Sequence, residues 1–393
     1  MKTLIVHIFG IFFSSLILFI SKPKIDDYLK KKHPVTFSVN YSSSIDHFNY
    51  LNPDVNLAIS NSIKSGVPTV FGSSELSSNH LKGVCYNFFK EKNIKIQTIG
   101  HAGFQCFAIS SVLAANADLL KDGKIVINLS PVWFEGKYAK GTNLECFFEY
   151  NNNFSFNEIL NNTAIPIEYK KYYCNYISDK YSQINSPNAM INILALSNKN
   201  KILYYPFTFI HNLVYKLNYK SESQLQTFSY FQKKISKTNI CYSFKKPIIN
   251  WDSLYQNAIT DFKKQSTNNN VGVYNEYYTT WIKNKRPKLI EPISYNQEFE
   301  DFRMLLLLCK QTKCNPIFTI SPINTLCYSN PKDINPIMIS VMKELDKNGF
   351  KYLDLFSSNL KNYEKGVLED IMHPGDYGWY QLDKYIIDEF GSN

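Results

Sequence analysis

Two adjacent serines stand in PTVFGSSELS, residues 68–77, directly after a short apolar run and a glycine. Near the other end of the chain, LEDIMHPGDYGW places Asp370 three residues before His373. A serine hydroxyl is a poor nucleophile at neutral pH. It needs a base within hydrogen-bond reach to take its proton and an acid to fix the tautomer of that base. An Asp-x-x-His spacing suits one helical turn or a tight loop, so both side chains can face one cleft. Each residue alone has a plainer role: a serine before a helix caps it, an aspartate caps a turn, and a histidine packs against its neighbours. Glu75 follows the serine pair at what reads as a helix amino terminus, where a carboxylate complements the helix dipole.

The elements around these residues carry an α/β rhythm. VPTVF lies between Gly66 and Gly72 and is too short for a helix, so it predicts a buried strand. A helix start is expected from SSELSSNHLKGVCYNFFKEKNI. IKIQTIG then reads as a second strand, HAGFQCFAISSVLAANADLLKDG as a long helix closed by Gly123, and KIVINLSPVWF as a third strand with a polar tip. Apolar strands alternating with helices imply parallel pairing with both faces covered. From about residue 135 to 297 the chain is rich in Asn, Tyr and Lys and shows no strand alternation. It is expected to be a mostly helical insertion, with SESQLQTFSYFQKKI as one of its helices. The rhythm resumes with the helix EFEDFRMLLLLCKQTKC, the strand NPIFTISPIN, the helix INPIMISVMKELDKNG, the strand FKYLDLF and the closing helix YGWYQLDKYIIDEF. Ligands of open parallel sheets bind at the carboxyl ends of the strands. The polar tips FGSSE, NLSPVWF and ISPIN all fall there.

Thr3–Ile20, interrupted only by His7, Gly10 and two serines, contains no Asp, Glu, Lys or Arg and is near the length of a membrane-crossing helix. No small-x-small cleavage site follows it, so residues 1–22 are expected to be an uncleaved anchor and residues 23–66 a stalk and lead-in. Lys22, Lys24, Lys30, Lys31 and Lys32 follow the segment and Lys2 precedes it, a bias that by itself places the domain in the cytoplasm. The 43 Lys and Arg exceed the 33 Asp and Glu by ten, which favours anionic partners without choosing among nucleic acid, membrane surface and polyanionic polymer. Eight cysteines are scattered without CxxC pairs, which argues against a zinc site and leaves open whether they pair as disulfides.

A serine after a strand, paired with a late D-x-x-H, resembles the SGNH/GDSL hydrolase superfamily, with GSS standing where that group has Gly-Asp-Ser. Within it, FGSSEL, GHAGFQ, SPVWF, NWDSLYQNAI, STNNNVGVYNEYY, SPIN and DIMHPGDYGW, in this order behind an apolar amino terminus, resemble the DltD family. That resemblance implies a three-layer, parallel-sheet, SGNH-hydrolase-like domain over residues 67–393, interrupted by the helical insertion and preceded by an N-terminal transmembrane helix. It implies Ser74 as nucleophile, His373 as base, Asp370 as orienting acid and Ser73 in place of the superfamily aspartate. Gly103 would supply an oxyanion amide. The superfamily asparagine is missing from the SPVWF tip, so Ser130 or a backbone amide would have to replace it, a gap that matters because each such donor is worth about 2.7–4 kcal/mol. Gln105, Trp133 and Asn324 would line the pocket.

The implied activity is D-alanylation of teichoic acid or a related envelope polymer through a serine acyl-enzyme, by transfer or by hydrolysis, with no metal and no cofactor. The implied partners are a membrane-bound O-acyltransferase of the DltB kind, the D-alanyl carrier pathway, the anionic polymer as acceptor and the membrane itself, with no nucleic acid. The implied location is a single-pass membrane protein with its domain outside the cytoplasm, against the lysine bias. Two other readings stand beside this one: an O-acetylesterase or acetyltransferase on an envelope polysaccharide, and a non-catalytic scaffold for the membrane acyltransferase.

Overall fold

The computed structural model describes residues 53–143, 162–181, 242–283, 288–356 and 365–392, with scattered positions at 9–21 and 146–160. The expected anchor and the first part of the stalk lie mostly outside the described residues, as does the expected helix at 221–235. Among the described residues, no helix is long and apolar enough to cross a membrane.

Five short strands form one parallel sheet: β1 (Thr69–Gly72), β2 (Gln97–Gly100), β3 (Ile125–Leu129), β4 (Ile317–Ile320) and β5 (Tyr352–Asp354), in the order β2-β1-β3-β4-β5. The two-residue period of a strand sends Phe71, Ile125, Ile127, Leu129, Phe318 and Ile320 into one apolar cluster. Val70, Val126 and Ile317 go into a second. Helices α1 (Pro53–Ser65), α3 (Cys106–Ala114), α6 (Gln297–Gln311) and α7 (Asn335–Asn348) cover the first face, and α2 (Cys85–Glu91) and α8 (Asp376–Phe390) the second. The result is three layers. Central strands buried on both faces explain why their sequences read as continuous apolar runs rather than alternating ones.

Two expectations differ in detail. Pro53–Ser65, read as part of a lead-in, is helix α1, and its Ile59 and Ile63 are buried in the core. The helix expected directly after Ser74 is a single tight turn, Ser74–Ser77, and α2 begins only at Cys85. Ser73 at the start of that turn makes no capping bond, because its hydroxyl is engaged elsewhere.

Between residues 135 and 297, the described α-helices are α4 (Ile167–Tyr181), α5 (Trp251–Gln265) and a short helical stretch over Asn275–Ile282, while 242–250, 266–274 and 288–296 are irregular. Tyrosines attach α4 to the domain. Tyr176 stacks on Phe107 at 3.6 Å between ring centres, and the Tyr169 hydroxyl donates to Ser110 Oγ at 2.8 Å. Asn250 and Asn296 cap α5 and α6, accepting from the amides of Ser253 and Phe299. At the end of α6, Lys313 has φ +57°, and the Cys314 amide reaches back to the Cys309 carbonyl at 2.9 Å. This Schellman closure sets Cys309 and Cys314 side by side where an apolar pair usually sits. The seven cysteines among the described residues are free thiols, all buried.

Candidate active site

β1 lies between β2 and β3, and its register aligns the strand ends. Gly72 pairs with Gly100 of β2, Phe71 with Ile127 of β3, and Leu129 with Ile320 of β4. Ser73, His101, Ser130 and Ser321 therefore leave the sheet at the same edge. β1 and β2 approach so closely there that a Cβ on Gly100 would lie 2.1 Å from the Gly72 carbonyl oxygen, so only glycine fits.

The turn after β1 presents Ser74 to the turn before α8. Ser74 Oγ lies 2.7 Å from His373 Nε2, and His373 Nδ1 lies 2.6 Å from Asp370 Oδ2. The other carboxylate oxygen of Asp370 accepts the amides of Met372 and His373 at 2.8 and 2.7 Å, so the three-residue spacing builds a tight loop closed on its own aspartate. Burial opposes charge on both partners, yet their mutual attraction and hydrogen bond outweigh it. Asp370 is held below the usual carboxylate range, its two backbone donors contributing. His373 is pushed up to about 9, with Glu75 and Glu369 adding to the effect of Asp370. Of the two serines, Ser74 meets a histidine, and Ser73 makes no side-chain capping bond.

Ser73 has a different surrounding. Its hydroxyl donates to the His101 carbonyl at 2.9 Å and accepts the Gly103 amide at 3.1 Å. It thus bridges the ends of β1 and β2 and occupies the amide expected to serve an oxyanion. Gly103 itself has φ +86°, and a Cβ there would meet Cys146 Sγ at 2.7 Å. Among the described residues, the Ser74 amide donates to no acceptor.

Of the residues expected to line the pocket, Asn324 joins the site by its backbone. Its amide donates to the Ile371 carbonyl, within the Asp370–His373 loop, at 2.9 Å. Its side chain donates to the Val271 carbonyl at 2.8 Å and accepts the Leu326 amide. Gln105 is buried and donates to the Tyr138 carbonyl at 3.1 Å. Ser130 opens the turn Pro131–Phe134 without a side-chain capping bond, and Trp133 is buried in the core below it. The insertion also reaches the site: the Tyr274 amide donates to the Glu369 carbonyl at 2.9 Å, and Asn269 closes the loop by donating to the Val273 carbonyl.

Three residues carry more than the sequence suggested. Glu75 is no exposed dipole partner: it is 3% exposed. Its Oε1 accepts the Ser73 amide at 2.8 Å and Asn128 Nδ2 at 2.7 Å. Asn128 stands inside β3, two residues before the tip expected to carry the superfamily asparagine, and its oxygen accepts the hydroxyls of Thr319 and Ser321 at 2.7 and 3.0 Å. The signal was an amide within the otherwise apolar IVINL, since a buried polar group needs partners. Glu369 accepts Ser78 Oγ at 2.7 Å and lies 2.6 Å from His80 Nε2. Glu369, Asp370 and His373 bring donor atoms within 4.8 Å of one another, but each is held by the hydrogen bonds just given. The donor set is occupied by its own partners rather than arranged around an empty centre. A separate cleft of about 650 Å³, lined by residues such as Phe134, Ile290, Tyr295 and Lys332, includes none of Ser74, Asp370 and His373 among its walls.

Fold and site together define an α/β protein with a Ser–His–Asp hydrogen-bonded chain at the carboxyl edge of a parallel sheet. The chain belongs to the DltD family: the family described as DltD protein matches residues 54–390. It is 25% identical over 341 residues to Protein DltD of Bacillus subtilis (strain 168), covering 82% of this chain and 81% of that one. It is 23% identical over 325 residues to Protein DltD of Staphylococcus aureus (strain NCTC 8325 / PS 47), covering 81% and 79%. A shorter match, 29% identical over 133 residues and 31% of each chain, is to Protein DltD of Lacticaseibacillus rhamnosus.

Proposed function

We propose that this chain is a serine acyl-transfer protein of the cell envelope, acting in D-alanylation of teichoic acid or a related anionic polymer. The observation that carries the reading is the Ser74–His373–Asp370 chain, with 2.7 and 2.6 Å links, in a member of the DltD family. Ser74 Oγ attacks the carbonyl of an activated D-alanyl ester or thioester while His373 Nε2 takes its proton. The C–O or C–S bond to the carrier breaks, and His373 protonates the departing alcohol or thiol. A hydroxyl of the polymer then attacks the acyl-enzyme, gives its proton to His373, and the returning proton restores Ser74. Asp370 stays ionised throughout and holds the imidazole by Nδ1. The Ser74 amide remains free for the oxyanion, whereas the Gly103 amide would have to leave Ser73 to contribute. The membrane acyltransferase, carrier pathway and outward-facing anchor implied by the family resemblance complete this reading, and an outward domain makes the excess of ten positive charges intelligible beside a polyanion.

The test is D-alanine ester content of the envelope polymer in cells whose own copy is deleted, complemented with the full chain or with Ser74→Ala. Restoration by the wild type and loss with Ser74→Ala supports acyl transfer. Full restoration by Ser74→Ala overturns it and favours a scaffold, and unchanged D-alanine with altered O-acetyl content favours the acetyl chemistry.

A further inference from the structure

Directly behind the nucleophile lies a carboxylate that the reaction above does not use. Glu75 Oε1 is held by two donors, the Ser73 amide and Asn128 Nδ2. A Cβ on Gly72 would lie 2.6 Å from Glu75 Oε1, so the glycine before the serine pair makes room for this carboxylate. Through Asn128 the contact extends to Thr319 and Ser321 at the end of β4. One buried hydrogen-bond chain therefore ties the tips of β1, β3 and β4 together under Ser74. Burying a carboxylate costs several kcal/mol unless it is well bonded, and a fold with an apolar choice at this position would avoid that cost.

We propose that Glu75 is a positioning residue for the Ser74–His373 pair: it clamps the turn that presents Ser74, and its charge supports the imidazolium that forms when His373 takes the proton. The inference rests on the reading of Ser74 as nucleophile. Burial pushes the Glu75 carboxyl up, and the Ser73 amide, the charge of His373 and Asn128 pull it only part of the way back. The carboxylates acting on His373 are Asp370 and Glu369 from its own loop and Glu75 from the β1 tip. Tyr277 from the insertion adds a phenol near Asp370 and Glu369 that burial pushes well above its ordinary value.

The experiment is the rate of Ser74 modification by a fluorophosphonate as a function of pH, read by intact mass on the full chain in detergent. The attack forms an Oγ–P bond and expels fluoride, and it requires neutral His373, so the wild-type rate rises with pH through a midpoint near 9. Glu75→Gln keeps the shape and an acceptor but removes the charge. Its midpoint is expected to fall by about one unit, with the alkaline plateau within about threefold of wild type. Glu75→Ala also removes the clamp, and its plateau is expected to fall about ten- to a hundred-fold. Asn128→Ala leaves Glu75 one donor short and more readily protonated, so its midpoint moves in the same direction, and it serves if either Glu75 variant fails to fold. A variant of native thermal stability whose midpoint and plateau both match wild type overturns the inference. Labelling that persists in Ser74→Ala overturns instead the assignment of the nucleophile.

Discussion

Asp370→Asn tests the central geometry in a way that separates orientation from folding. Asp370 Oδ1 accepts two backbone amides, at 2.8 and 2.7 Å. An asparagine keeps those bonds only if its oxygen stays on them, which turns its NH2 toward His373 Nδ1. Nδ1 must then accept, the ring proton moves to Nε2, and the nitrogen facing Ser74 becomes a donor. A donor cannot take the serine proton. In serine proteases with a Ser-His-Asp triad the same change lowers turnover about 10⁴-fold, or about 5.5 kcal/mol at about 1.36 kcal/mol per factor of ten. The loss is not constant with pH. In the wild type His373 sits at about 9, so at pH 7, two units below, only about 1% of it is the neutral base. The asparagine variant lacks the attraction that raises His373 and is neutral already. The rate ratio is therefore expected to be about 10⁴ at pH 10 and to shrink toward about 10² at pH 7. Fluorophosphonate labelling followed by intact mass measures both. A variant that labels within tenfold of wild type at the alkaline plateau, or a ratio that is flat with pH, refutes the reasoning.

Two further outcomes follow from the fold. Asp383 on α8 is fully buried, its carboxyl oxygens have no strong hydrogen-bond partner among the described residues, and burial pushes it well above the ordinary value, with the Cys85 thiol pulling it back. A group raised in the folded state favours folding when protonated, so as pH rises above its unfolded value of about 3.9 the wild type loses about 1.4 kcal/mol per unit until the folded group ionises. The melting temperature of Asp383→Asn relative to wild type is therefore expected to climb from pH 4 to pH 7, and a constant difference contradicts the burial argument. Gly100→Ala forces a Cβ to 2.1 Å from the Gly72 carbonyl oxygen, and the backbone shift is expected to lower stability by about 3 kcal/mol in chemical denaturation; a loss below about 0.5 kcal/mol would show that the strand ends are free to separate.

The strands were legible because burial on both faces leaves short uninterrupted apolar runs between glycines and turn residues, and VPTVF, KIVINL and PIFTI all have that form. The proximity of Ser74, His373 and Asp370 was legible because two of them are three residues apart and sit, like the serine, at the ends of the α/β pattern. What stood beside them was not. Glu75 follows the serines where a helix start was expected, and only the shortness of the Ser74–Ser77 turn sends its carboxylate inward to Asn128. Asn128 lies inside the strand rather than at its tip, although an amide within IVINL has to be paired with something. The engagement of Gly103 by Ser73 depends on how closely β1 and β2 approach, a distance no spacing along the chain encodes. The contact of the Val271–Tyr274 loop with Asn324 and Glu369 joins segments about fifty to a hundred residues apart, and it arises from tertiary packing alone.

The most direct measurement of the central claim is intact mass of the protein after fluorophosphonate treatment, with wild type, Ser74→Ala, Ser73→Ala and His373→Ala treated side by side. A serine activated through His373 gives one adduct on the wild type and on Ser73→Ala, and none on Ser74→Ala or His373→Ala. An adduct that survives Ser74→Ala, or a folded wild type that takes up no label at pH 9, would contradict the account.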